Sequence, residues 1–128
     1  MNLHPGLDAG SHSGRARALP EVLSMIRFVE TLVGSAFGAS QSALHGSGRG
    51  EARVAFARQV AMYLCHVELG LSFSVAGHLY GRDRTTAAHA CHVIEEGRED
   101  ASLDSLLDRL ERAIDLRRQL VAEETTRT

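Results

Sequence analysis

An all-α fold is predicted for this 128-residue chain by two recurrent features. Apolar residues return at helical spacing through successive segments, and the breaks between segments carry glycines or small polar residues suited to helix caps. The length fits one domain with tails. An apolar share of 44% and a charged share of 23% are those of an ordinary globular protein. No apolar run approaches the roughly 18 to 20 residues needed to cross a bilayer, and Met1 to Leu19 contain no signal-peptide core, so a cytoplasmic protein is expected.

Residues 1–19 mix Gly, Ser, His, Ala and Arg without a period and read as a flexible arm. A domain is expected over 20–98 and an acidic amphipathic helix and tail over 99–128. Pro20 suits a first helical turn, and Val22, Leu23, Met25, Ile26, Val29, Leu32, Val33 and Phe37 mark a helix over about 21–37 that stops at Gly38. Ser40 is placed to cap a short turn through Ala43 and Leu44. The stretch from His45 to Glu51, HGSGRGE, is a glycine-rich loop carrying Arg49. The strongest helix is predicted over Ala52–Leu69, where Val54, Ala57, Ala61, Leu64 and Cys65 mark the turns and Gly70 the end.

Ser72 or Ser74 then caps a short helix ending near Tyr80, Gly81 turns a corner, and a longer helix opens at Asp83 or Thr85 and runs to Gly97. A short helix, a glycine corner and a polar-opened second helix outline a helix-turn-helix, placed here within about Arg58 to Glu96. The last segment, from Ser102 to about Glu124, carries Leu103, Leu106, Leu107, Leu110, Ala113, Ile114, Leu116, Leu120 and Val121 with Asp and Arg between them, as an amphipathic helix. Packing on the domain is favoured over pairing with a second copy, because three heptads make a marginal coiled coil. A homodimer through this helix, by way of Leu106, Leu110 and Leu120, is the other outcome.

The net charge of −2 is not that of a strongly basic DNA binder, but it is unevenly placed. Residues 1–94 hold eight Arg against six acids (+2), and residues 95–128 hold six Arg against ten acids (−4). In a helix-turn-helix the opening residues of the second helix reach base edges in the major groove. Here those residues are Arg82, Asp83, Arg84, Thr85 and Thr86: Arg forks onto guanine, Asp accepts from cytosine, and the Thr methyl meets the thymine methyl. Asp83 serves equally well as a helix cap. Arg58, Gln59 and Ser72 would face phosphates in the usual docking, and Arg49 on its glycine loop would reach a minor groove.

These segments resemble a known family, the C-terminal DNA-binding domain (domain IV) of the bacterial chromosomal replication initiator DnaA. The resemblance rests on ARQVAMYL (57–64), on the L-S-x-x-x-x-G stretch from Leu71 to Gly77, on GRDRTTAAHAC (81–91), and on the Val93-Ile94-Glu95-Glu96 that follows. Val29, Val33, Phe37 and Leu44 extend it more weakly upstream, so it covers about 22–97. It implies double-stranded DNA binding at DnaA-box-like sites, with regulation of replication initiation or transcription, and contact with replication-initiation proteins. In the family, the Asp, His and Thr of R-D-H-T-T read bases; the matching positions are Asp83, Arg84 and Thr85. Arg49 resembles the arginine of the family's basic loop, and Arg58, Gln59, Ser72, Thr86 and His89 fall where the family supports or contacts the DNA backbone. Arg84 stands in place of the family's His, one of two glycines before Arg82 is absent, and the loop keeps one arginine. The target sequence is therefore open. No G-x-x-x-x-G-K-[ST] phosphate loop is present, so the resemblance is to a domain IV without its ATPase.

Two other classes compete. An interaction module could keep the fold and use its acidic last helix to engage a partner protein without binding DNA. A zinc site is suggested by Cys65, His66, His89, Cys91 and His92, but adjacent Cys91 and His92 point about 100° apart on a helix and no Cys-x-x-Cys pair exists. The cysteines are expected to be buried free thiols. No metal, cofactor or catalytic constellation is expected, and the chain is not read as an enzyme.

Overall fold

The computed structural model describes residues 15–47 and 51–127. Those residues form six helices: α1 (Arg15–Phe37), α2 (Gln41–Leu44), α3 (Ala52–Val67), α4 (Phe73–Leu79), α5 (Arg84–Gly97) and α6 (Ala101–Arg127). No strand is present among them, and none of the helices is long and apolar enough to cross a membrane. The all-α reading holds.

At the centre lies α3, where Ala57, Val60, Ala61, Met62, Tyr63, Leu64 and Cys65 are all buried. A helix buried over most of its surface must be enclosed, and α1, α4 and α5 all pack on it. From α1 the core takes Met25, Ile26, Val29 and Val33; from α5 it takes Ala87, Ala90, Cys91 and Ile94. Truncating such a side chain to Ala costs about 2–5 kcal/mol for Leu, Ile or Met, the lost transfer energy plus a cavity.

The helix starts are fixed by short polar side chains. Ser40 Oγ accepts from the Ala43 N–H (3.0 Å) to open α2, Ser72 Oγ accepts from the Val75 N–H (3.1 Å) to open α4, and Asp83 Oδ1 accepts from the Thr86 N–H (2.8 Å) to open α5. Of the paired alternatives in the sequence, Ser72 and Asp83 are the caps.

The first helix begins at Arg15, earlier than the expected start near 21, and Pro20 lies inside it. Arg15, Ala16, Arg17, Ala18 and Leu19 are strong helix formers but show no apolar period, so propensity extends the helix where patterning is silent. Pro20 removes one intrahelical hydrogen bond close to the end. Residues 1–14 of the expected arm lie outside the described residues, as does Arg49 of the glycine loop.

Packing, rather than self-pairing, takes up the inner stripe of α6. Leu107, Leu110 and Ile114 are buried in the common core with Leu103 and Leu106 beside them, and the helix runs against α1. Leu106 and Leu110 are thereby withdrawn from the dimer seam expected of them, and Leu116 and Leu120 remain exposed at 57% and 56%. The turn between α5 and α6 is held by Arg98. Its Nε meets Asp104 Oδ1 (2.7 Å), Nη2 meets Asp108 Oδ1 (2.6 Å), and Nη1 donates to Glu111 Oε2 (2.9 Å) and the Tyr63 hydroxyl (2.9 Å). Tyr63 in turn donates to Glu95 Oε1 (2.8 Å), so one cation joins α3, α5 and α6.

Candidate nucleic-acid interface

The α4–α5 corner is built on two glycines. Gly81 has φ +70, a conformation L side chains rarely adopt. Gly77 is buried, and a Cβ there would lie 2.7 Å from the Asp83 carbonyl oxygen and 2.8 Å from that of Arg82. The Gly77 carbonyl accepts from the Tyr80 and Arg82 N–H groups, both at 2.9 Å. The chain therefore reverses tightly against α4 and launches α5 at a fixed angle, the geometry of a helix-turn-helix.

The opening of α5 presents Asp83, Arg84, Thr85 and Thr86 to solvent, and His89 is exposed one turn further on. Thr85, His89 and His92 fall on one helical face, opposite the buried Ala87, Ala90 and Ile94. The sequence reading weighed His92 only as a zinc ligand; its place in the Thr85, His89, His92 progression is the signal that puts it on this face. It pairs with Glu96 at 3.2 Å, so the face turns acidic at its far end. The Arg84 guanidinium lies 6.0 Å from the centre of the Phe73 ring of α4, which in turn stacks on His66 at 4.2 Å.

Other expected site residues take different places. Arg58 is 5% exposed: Nε donates to the Leu44 carbonyl (2.7 Å) and Nη2 to the Ala43 carbonyl (3.1 Å). It serves the carbonyls at the end of α2, that of Ala43 jointly with the Gly46 N–H. Its guanidinium is turned inward to these carbonyls, because positions 57, 60 and 61 around it are all core. Burial, then the nearby Arg82, lower its pKa from the usual arginine value, yet a guanidinium stays charged. Arg82 Nη1 donates to the carbonyls of Tyr80 (2.6 Å) and Gly46 (3.0 Å), so this side chain ties the corner to the described end of the glycine loop. Ser72 spends its hydroxyl on the α4 cap, and Gln59 is half-buried on α3.

The two thiols are free, and burial pushes Cys65 up to about 12 and Cys91 up to about 11. Neither is a thiolate at neutral pH. Among the described residues no three His, Cys, Asp or Glu side chains are grouped to hold a metal ion.

This exposed, capped second helix behind a glycine corner has a match among known proteins: residues 26–94 fit the helix-turn-helix of bacterial DnaA protein. The chain belongs to the bacterial DnaA helix-turn-helix family. It is 42% identical over 84 residues to the chromosomal replication initiator protein DnaA of Thermomicrobium roseum, covering 65% of this chain and 18% of that protein. The corresponding protein of Lachnoclostridium phytofermentans is 33% identical over 79 residues, covering 60% and 17%. That of Leifsonia xyli is 50% identical over 54 residues, covering 41% and 11%. The chain thus matches less than a fifth of the length of each of these DnaA relatives. A DnaA-type helix-turn-helix is a DNA-binding domain, and α4 and α5 are its two helices.

Proposed function

We propose that this chain binds double-stranded DNA sequence-specifically at DnaA-box-like sites, inserting the opening turn of α5 into the major groove, and so regulates replication initiation or transcription. The observation that carries this reading is the solvent-facing run Asp83, Arg84, Thr85, Thr86 at the N-terminus of a rigidly launched helix. Arg84 is the guanine-directed fork, the Thr methyls meet thymine methyls, and Asp83 divides its carboxylate between capping α5 and facing bases. His89, Gln59 and the N-terminus of α4 at Ser72 lie alongside as backbone contacts, with Arg82 and Arg58 holding the frame. Arg49 is proposed as a minor-groove contact. The protein acts in the cytoplasm, at the nucleoid, and needs no metal, cofactor or catalytic step.

Selection of bound duplexes from a random pool tests the reading. A recovered motif related to the DnaA box supports it; a pool that stays unenriched removes sequence-specific binding.

The second reading, an interaction module for replication or transcription proteins, is favoured by one feature, the exposure of Leu116 and Leu120 on the acidic α6. Of the three leucines expected to contact a second copy, Leu106, Leu110 and Leu120, only Leu120 is exposed. Sedimentation over a concentration series decides whether a second copy binds, since a monomer throughout discards the dimer.

A further inference from the structure

A buried carboxylate sits behind the helix-turn-helix corner. Glu30 of α1 is 5% exposed, and its Oε2 receives the Tyr80 hydroxyl at 2.8 Å and stands 2.8 Å from His45 Nε2. The other ring nitrogen of His45, Nδ1, is 3.0 Å from the Leu79 carbonyl oxygen, and the imidazole stacks on the Tyr80 ring at 4.7 Å. A carbonyl only accepts, so Nδ1 carries a proton. A neutral ring would then turn the lone pair of Nε2 onto Glu30 Oε2, setting two acceptors 2.8 Å apart. The contact holds only when one further proton lies between Nε2 and Oε2, whichever of the two atoms carries it. His45 has 41% of its side chain exposed, so that proton exchanges with water.

We infer that His45 is a positioning residue for DNA binding: with Glu30 it forms a proton-bound pair that fastens the end of α2 to the helix-turn-helix corner, and DNA affinity falls when that proton is lost. The inference rests on the DNA-binding reading for its second half. Around the pair stand Arg58 from α3, bonded to the Leu44 carbonyl next to His45, and Arg82 from the corner, bonded to the Gly46 carbonyl on its other side. Tyr80 from the end of α4 and the Cys65 thiol of α3 complete the surroundings. The backbone carbonyls of Ala43, Leu44 and Gly46 thus accept from guanidiniums of α3 and of the corner. The protonated pair locks Leu79 and Tyr80, whose positions set the direction of Gly81 and α5. Loss of the proton to solvent as pH rises leaves Glu30 and Nε2 repelling each other, which frees the corner and removes positive charge beside the reading helix.

The test uses the full chain in two arms. Long-range nitrogen NMR follows the His45 ring, and amide spectra follow Gly46, Tyr80 and Gly81, as pH is raised from slightly acidic to alkaline. Expected are protons on both ring nitrogens, or on Nδ1 and Glu30, at the acidic end, and corner amides that move with the same midpoint as the ring. In the second arm, duplex affinity should weaken at least about fivefold across that midpoint, the low end of coupling between linked sites. His45→Arg, permanently protonated, and Glu30→Gln, whose amide can donate to a neutral ring, should both lose this pH step. His89 and His92 are present in both variants, so their own titration cancels in the comparison. Corner amides that ignore the His45 titration, or variants with the wild-type pH step, overturn the inference. Absence of DNA binding at every pH contradicts the DNA-binding reading and this second arm together, while the NMR arm still decides the pair by itself.

Discussion

Gly77 and Asp83 meet so closely that the hydrogen on the Gly77 α-carbon faces the Asp83 carbonyl where a Cβ would come within 2.7 Å of it. That contact sets how near α5 starts to α4, and it separates two glycines that look alike in sequence. Gly77→Ala must push two backbone carbonyls apart and should destabilise the domain by about 1–3 kcal/mol, as overpacking does. Gly81→Ala has nothing within 4 Å and pays only for its positive φ, about 1–2 kcal/mol. Urea unfolding should rank Gly77→Ala as the costlier change, with loss of DNA binding beyond its loss of stability. The reverse order would deny the close approach its structural role.

Arg98 gathers three carboxylates that would otherwise repel one another along α6. Arg98→Ala is expected to cost about 1–3 kcal/mol, toward the lower end because Asp104 and Asp108 are nearly half exposed. Hydrogen exchange should accelerate first in α6 and leave α3 protected. Unchanged exchange in α6 would mean that Leu107, Leu110 and Ile114 hold it alone.

Asp83 carries a helix cap that depends on its charge. The Thr86 backbone N–H holds its carboxyl below the usual aspartate value of 3.8. A depressed pKa means that the cap's contribution is present above the ordinary carboxylate range and is lost as pH falls through the lowered value. Exchange of the Thr86 and Ala87 amides, taken relative to the intrinsic rate at each pH, should therefore rise on acidification in the wild type. Asp83→Asn, an equally good cap without a titrating group, should remove that acid-side rise; an unaltered profile would assign it to another group.

Much of this was legible in the sequence. Helical spacing located the long helices, because a residue such as Val60 or Ile94 must face the core whatever its neighbours do, while the four-residue α2 was read from its Ser40 cap. Cap chemistry narrowed the starts of α4 and α5 to two residues each, and only coordinates choose Ser72 over Ser74 and Asp83 over Thr85, since each pair satisfies the same rule. The roles of Arg58, Arg82 and Arg98 were hidden for one reason. A guanidinium is as suited to a backbone carbonyl or a carboxylate as to a phosphate, and which it meets depends on residues 14 positions away for Arg58 and 36 for Arg82. Arg58 did carry a hint in its apolar flanks, Ala57 and Val60. His45 and Glu30, 15 residues apart, carried none.

Arg84 is the residue of the opening turn most free to choose a base. Arg84→Ala should lose about 1–3 kcal/mol of discrimination at one base pair while leaving binding to unrelated duplexes nearly unchanged. Phe73→Ala, which removes the ring beneath the guanidinium, should weaken the same preference by less. An unaltered preference in Arg84→Ala would remove Arg84 from the base-reading set.

The most direct measurement is the affinity for a labelled duplex carrying a DnaA-box-type site and for a scrambled duplex of the same composition, each at two salt concentrations. The account predicts that the site is preferred at both salts. It also predicts that each affinity falls as salt rises from about 50 to 200 mM, because interface arginines release counterions from the DNA. Equal affinities for the two duplexes, or no retention of either at the lower salt, would contradict the claim that the opening turn of α5 reads DNA.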